Sequence, residues 1–363
     1  MSVQNFIKSV AEEKDNFILD EAWRLNEDSL SVIVPVLRKS KAKRSYITFA
    51  EAKDVKVEDT GQIDYVYVTN NEEKPLLISR GEIFRGKTQE RASVHGAIIK
   101  AGKGMRVAVR CIHRSKGINS GAEMKYGGRV PSDIDLSNQQ SAWNSVTAHY
   151  SALRGEFIAE GAPMLGNIRA HNVHMGTLKH HVDNSSYTVS NSTVSPDMVA
   201  DNNNEELDMD MFNQERNRDI GASDDLVNTL DDMSDMIKEM LKKIPPIKNQ
   251  VGAIFLVENA VKGLDIYDLP DSWKSVKEDV VAKEGSDYLK KEDTNIFEFK
   301  PEKVKQLIGK KLGGTFEEKV IYDTKDMKII EVREVVDDTK KTRLCGEAVE
   351  FNNKIIHLTM YQA

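Results

Sequence analysis

The sequence predicts an α+β protein: β-rich sheets built from both ends of the chain, intervening helices, and a flexible acidic insertion. Three observations predict it. Short apolar runs of strand length crowd residues 30–112 and 316–360. Stretches with helical spacing lie between them. From about Gly161 to Ala222 the chain is rich in Asn, Ser, Asp and Met without a sustained period, as in segments that bury too little apolar surface to order themselves. The expected division is 1–160, an N-terminal β-rich region with a basic stretch at 80–129; 161–222, the flexible acidic insertion; and 223–363, an α+β C-terminal region. The two flanking regions pack as one composite domain or as two.

Taken in order, residues 3–15 suit a short helix, and Leu30 to Leu37 (LSVIVPVL) a strand whose Pro35 points to a sheet edge. Tyr46-Ile47-Thr48 leads into a brief helical AEAKD, and Ile63 to Thr69 is a strand of aromatic and β-branched residues. Further strands follow at Pro75–Ile78, in RGEIF, over Ala92–Ile99 and over Met105–Ile112. In the last, Met105, Val107, Val109 and Cys111 share one face while Arg106 and Arg110 point to the other. Gln139 to Phe157 reads as a helix with Trp143, Val146, Tyr150 and Leu153 at helical spacing. Ser223 caps a second helix, with Asp224 and Asp225 in its first turn, and Pro245-Pro246 stop it. Its apolar stripe from Leu226 to Ile244 suits core packing, or contact with a protein partner or a second copy. GAIFLVENAVKGLDIYD reads as a hairpin turning at Glu258-Asn259, followed by helices from Pro270 and over Pro301–Lys311. Four strands close the chain, the last two joined by Asn352-Asn353, a residue pair that tolerates positive φ.

The totals narrow the class. No run approaches ~20 apolar residues, so a membrane-spanning helix is not expected. The first residues show no secretory pattern, and Cys111 and Cys345 have neither metal-ligand nor redox spacing. A cytoplasmic protein without a cofactor is the simplest expectation. The net charge of −7 conceals a segregation. Residues 80–129 hold twelve Lys and Arg against three Glu, and residues 197–239 hold fourteen Asp and Glu against three Lys and Arg. Such a basic stretch is where an anion, or the acidic segment itself, settles.

Within the basic stretch, Gly81-x-x-x-x-Gly86-Lys87-Thr88 matches the spacing of a phosphate-binding loop. That loop works only when it opens directly into a helix whose N-terminal amides hold the phosphates. After Thr88, however, Ala92, Val94 and Ile98 alternate, which predicts strand. A P-loop NTPase therefore ranks last among the functional alternatives.

A different relationship accounts for the same residues. Asn70, Pro75-Leu76-Leu77, Gly81-Glu82 with Gly86, Gln89 with Arg91, and Cys111 resemble the core of the ADP-ribosylglycohydrolase and rhodanese-phosphatase-associated protein domain family. Gln139 with Trp143, the GAIFLVENAVKGLDIYD segment and the terminal AVEFNNKIIHLTM extend the resemblance over about Val32 to Tyr361. Two departures stand out: the family's Cys-x-Glu and following Gly-Arg-Trp are replaced here by Cys111-Ile112-His113-Arg114-Ser115-Lys116, and the family does not require Lys87-Thr88. The resemblance implies a setting of ADP-ribose and phosphate chemistry and fixes no reaction.

Candidate residues follow from charge and chemistry. Arg85, Lys87, Gln89, Arg91, Arg106, Arg110 and Arg114 are the candidate ligand-binding set for a phosphate-bearing small molecule or RNA, since Arg recognises such anions in bidentate fashion. Few aromatics accompany them within 80–129, only Phe84 and Tyr126, so base stacking is not expected there. Glu82 is the candidate general base, with pairing to Arg91 or acceptance of backbone amides from the turn as its structural alternatives. His171, His174, His180 and His181 cluster without a carboxylate or Cys at diagnostic spacing, and form only a weak candidate metal set. The leading functional expectation is a binding or scaffolding protein for an anionic ligand or a protein partner. The alternative is a nucleotide- or phosphoester-processing enzyme using Glu82.

Overall fold

The computed structural model describes residues 1–24, 31–87, 89–113, 117–132, 134–153, 238–239, 241–242, 246–257, 260–285, 300–336 and 343–362. The first part of the chain forms α1 (Val3–Ala11), β1 (Phe17–Leu19), β2 (Trp23–Arg24), β3 (Ser31–Arg38), β4 (Ile47–Thr48), β5 (Val55–Asp59) and β6 (Tyr65–Asn70). It continues with β7 (Leu76–Ile78), β8 (Glu82–Gly86), β9 (Glu90–Ser93), β10 (Ala97–Ile99), β11 (Lys103–Cys111), β12 (Glu123–Arg129) and α2 (Gln139–Leu153). The last part forms β13 (Gln250–Val257), β14 (Ala260–Tyr267), α3 (Pro270–Gly285), α4 (Pro301–Leu312), β15 (Phe316–Asp323), β16 (Met327–Glu334), β17 (Leu344–Phe351) and β18 (Lys354–Gln362). The α+β, β-rich class predicted from the sequence is the class observed. The insertion, the four clustered histidines and most of the predicted 223–244 helix lie outside the described residues. Of that helix, Leu241 is buried in the core and Lys238 lies 3.6 Å from Asp279.

A nine-stranded sheet runs β1-β3-β13-β14-β18-β17-β16-β15, with β2 also paired to β3, so strands from both ends of the chain interleave in it. Period-two alternation splits its residues into two cores. Val32, Val34 and Val36 of β3 with Leu264 and Ile266 of β14 face α1 and α4. Ile33, Phe255 and Tyr267 face the opposite way, toward α3. Pro35 does not mark an edge, because β3 lies between β1 and β13. Its carbonyl accepts from Asp20, just past the end of β1, so the missing N–H falls in the gap before β2 and no ladder bond is lost.

On the α3 side lies a three-stranded sheet, β10-β7-β4. Its Leu77 and Ile98 join the core beneath the large sheet, while Leu76, Ile78 and Ile99 join a third core. That third core fills a closed six-stranded barrel, β11-β6-β5-β12-β8-β9, through Val57, Val66, Val68, Phe84, Val107, Val109 and Met124. Closure removes sheet edges, which a chain with this many short strands must otherwise protect. The helix α2 covers one outer flank with Ala142 and Val146 against Ile83, Ala92 and Ile112. The helix α3 packs on β13 and β14 and also touches β12 and β4, so it lies along the seam between barrel and large sheet.

Candidate functional site

Two places in this fold gather charge: the seam between barrel and large sheet, and the outer surface of the barrel. The seam is built from strand geometry. Gly81, with φ +79°, makes the turn that opens β8, and a Cβ there would meet Val130 at 3.2 Å. Glu82 follows, its amide donating to the Ser93 hydroxyl at 3.0 Å. Across the pair β8–β12, Glu82 stands in register with Arg129 after a register shift that accommodates Gly127-Gly128. On the large sheet, Leu264 and Ile266 face one core, so alternation sends Asp265 and Tyr267 to the barrel side. His357 is the cross-strand neighbour of Tyr267, and the two rings stack with centroids 4.4 Å apart.

Arg129 joins the two bodies. It donates to Glu82 Oε1 at 3.1 Å, to Asp265 Oδ2 at 3.0 Å and to the Tyr267 hydroxyl. Asp265 Oδ1 pairs with His357 Nε2 at 3.0 Å. Lys283 of α3 lies 3.9 Å from Asp265 and 3.2 Å from Glu284, which accepts from Ser132 at 3.0 Å. Glu82, Arg129, Asp265, Tyr267 and His357 are all buried. Glu82 Oε2 and His357 Nδ1 have no hydrogen-bond partner among the described residues.

The two carboxylates that share Arg129 are driven apart. Burial pushes Glu82 up to about 7, against the pull of Arg129. Burial also works on Asp265, but His357 and Arg129 outweigh it and hold that carboxyl well below its usual range. Burial lowers Arg129 while Tyr267, Asp265 and Glu82 raise it, and the net effect keeps the guanidinium firmly charged.

The residues singled out from the sequence disperse. Glu82 does not pair with Arg91; Arg91 lies inside the barrel, in register with Phe84, and donates to Asp59 at 2.8 Å and to the carbonyls of Gln62 and Tyr65. Register separates the two: Phe84 stands opposite Arg91, while Glu82 lies two residues further along, at the level of Ser93. Gln89 donates to the His113 carbonyl at 3.1 Å and accepts the Glu90 amide at 3.0 Å, a brace for the β8–β9 turn. Arg85 pairs with Glu90 at 3.0 Å, and Glu90 also meets His113 at 2.7 Å. Arg110 lies 3.6 Å from Asp64, and Arg106 is exposed with its guanidinium 4.5 Å from the Tyr65 ring centroid. Lys87 is exposed. Arg114 lies outside the described residues. Thr88 does too, but the chain beyond it forms β9, so the helix N-terminus a phosphate loop requires is missing. Cys111 is buried in the barrel wall, where burial raises its thiol pKa and makes it unreactive.

A family model described as the ARG and Rhodanese-Phosphatase-superfamily-associated Protein domain matches residues 25–156 and 189–361. The chain belongs to that family. The two matched stretches divide the seam between them: the first supplies Glu82 and Arg129, the second Asp265, Tyr267 and His357. The motifs behind the resemblance take structural meaning from the same geometry. Gln139 clamps the backbone of Cys111, accepting its amide at 2.9 Å and donating to its carbonyl at 2.6 Å. Asn70 donates to the carbonyls of Lys74 at 2.9 Å and Ile99 at 2.8 Å. Neither the curated proteins nor the solved structures contain a match to the chain.

Five residues of the sites went unnoticed in the sequence reading: Arg129, Asp265, Tyr267 and His357 at the seam, and Lys125 on the barrel. Asp265 and His357 did carry a signal, each being an ionisable residue flanked directly by apolar ones, in GLDIYD and KIIHLTM. Lys125 stands in register directly opposite Arg85, on the outer face of the barrel. It is exposed, and neither it nor Lys87 has an ion-pair partner among the described residues.

Proposed function

We propose that this protein binds a small anionic, phosphate-bearing ligand, of the nucleotide or ADP-ribose kind, on the outer face of its barrel at Arg85, Lys87 and Lys125. One observation carries the proposal. Like charges directly opposite each other on neighbouring strands destabilise a sheet, yet Lys125 faces Arg85, and Glu90 offsets only the arginine. A bound phosphate relieves that repulsion and takes charge-assisted hydrogen bonds from both side chains. Calorimetric titration with ATP and with ADP-ribose, with and without magnesium, tests it. The double variant Lys87→Ala/Lys125→Ala is expected to bind about 10-fold or more weakly, the loss of one or two charge-assisted contacts. Wild-type protein that binds neither compound sinks the proposal.

A second reading, an acid–base enzyme using Glu82, is favoured by the split between the two carboxylates on Arg129. One is held ionised and the other is poised near neutral pH, the arrangement in which acid and base roles are found. Under it Glu82→Gln abolishes phosphoester turnover measured with nucleotide substrates, while turnover unchanged in that variant removes Glu82 from the chemistry.

A further inference from the structure

Strand β6 carries a pair of tyrosines that no charge count reveals. Alternation places Tyr65 and Tyr67 on the outside of the barrel, because Val66 and Val68 between and beyond them fill its core. Tyr67 is 39% exposed, a large aromatic ring left open to solvent on a regular strand. Its ring lies across Gly104 of β11: a Cβ on that glycine would sit 2.6 Å from the Tyr67 hydroxyl and 2.8 Å from two ring carbons. Glycine thus lets one face of the ring rest on the neighbouring backbone, and the other face looks outward. Beside it, Arg106 is in register with Tyr67 and stands over the Tyr65 ring at 4.5 Å. Arg106 is exposed and has no carboxylate partner among the described residues.

A flat aromatic ring backed by a strand, with an unpaired arginine beside it, fits a nucleobase and its phosphate. The neighbouring strand β5 adds Lys56 and Glu58 to the same outer face, paired with each other at 2.8 Å. Glu58 faces Tyr67 and tempers the charge of this surface, so stacking rather than net charge must supply the affinity.

We propose that the outer face of β6 and β11 is a stacking platform for single-stranded nucleic acid, with Tyr67 receiving a base and Arg106 the adjoining phosphate. This platform on β6 and β11 is a site distinct from Arg85, Lys87 and Lys125 on β8 and β12, and the two readings are separated by choice of ligand. The test measures fluorescence anisotropy of labelled 12-nucleotide RNA and DNA strands, with inorganic tripolyphosphate as the base-free competitor, on wild type, Tyr67→Ala and Tyr67→Phe. The stacking platform predicts that Tyr67→Ala weakens the oligonucleotide about 5- to 100-fold, that Tyr67→Phe restores it, and that tripolyphosphate affinity stays unchanged in both. Stronger binding of RNA than of DNA, or the reverse, identifies the sugar that the face accepts. Oligonucleotide affinity equal in wild type and Tyr67→Ala overturns the platform, whether or not tripolyphosphate binds. Tripolyphosphate bound without any gain for the oligonucleotide overturns the platform alone, and failure of both ligands overturns the phosphate reading with it. Tyr67 is exposed, so neither substitution removes core packing.

Discussion

The seam and the outer face of the barrel use the same side chains under opposite conditions. At the seam, Arg129 is buried between Glu82 and Asp265, and every charge is committed to another. On the outer face, Lys125 and Arg85 are set against each other in register, and water and Glu90 carry the cost. Removing one partner from a buried set leaves a charge with nothing to hold it, whereas exposed charges are screened and nearly independent. The difference teaches where each kind of function can live. Buried charges fix how the barrel sits on the sheet, and an exposed one such as Lys125, without an ion-pair partner among the described residues, can turn to a ligand.

The largest effect is expected at the centre of the seam. Arg129→Met strands Asp265 and Glu82 without their shared cation, and chemical denaturation is expected to show a loss of about 3–5 kcal/mol. A loss below about 1 kcal/mol makes the seam an ordinary surface pair and erases the contrast.

The second effect is a dependence on pH. Glu82 titrates at about 7 in the folded protein against 4.5 for an ordinary glutamate. The folded state therefore holds the proton more tightly than the unfolded chain does. Its contribution is fully present below pH ~4.5 and is lost as pH rises through about 7, a total of about 3 kcal/mol. Asp268, pushed up to about 6 by burial despite its bond from Tyr46, acts in the same sense at lower pH. Asp265, held low, acts in the opposite sense and matters only in acid. Thermal unfolding is thus expected to show lower stability at pH 8 than at pH 5.5, and Glu82→Gln is expected to flatten the upper part of that curve. An unchanged slope in the variant removes Glu82 as its source.

The smallest effect carries an unusual sign. Lys125→Glu places a carboxylate opposite Arg85 and is expected to stabilise the fold by about 0.2–1 kcal/mol in the same denaturation assay. Destabilisation there shows that Lys125 has a structural partner after all.

Much of this fold was legible because it is local. Alternation in Met105–Ile112 and LSVIVPVL, the Pro270 and Pro301 helix starts and the Asn352-Asn353 turn, with φ +51° and +61°, all depend on residues close in sequence. Barrel closure was not legible, since it depends on β11 meeting both β6 and β9 and on β12 meeting both β5 and β8. The seam failed for the same reason: Arg129 and Asp265 are 136 residues apart, and no local pattern says that they meet. Glu82 was noticed through the family turn, but the partners considered for it, Arg91 and the turn's own amides, are local, whereas Arg129 is 47 residues away. The tyrosine platform escaped because the search for aromatics was confined to the basic stretch, while Tyr65 and Tyr67 precede it and meet Arg106 only across β6–β11. Pro35 misled because a proline is compatible with an interior strand when its missing donor faces a break in the neighbour.

The contrast between the two regions is tested most directly by titrating ATP at pH 7 into Lys125→Glu and Glu82→Gln side by side. Lys125→Glu is expected to weaken binding at least about 10-fold, and Glu82→Gln to bind as wild type does. The contradicting result is the reverse: affinity kept in Lys125→Glu and lost in Glu82→Gln, which places the ligand at the seam.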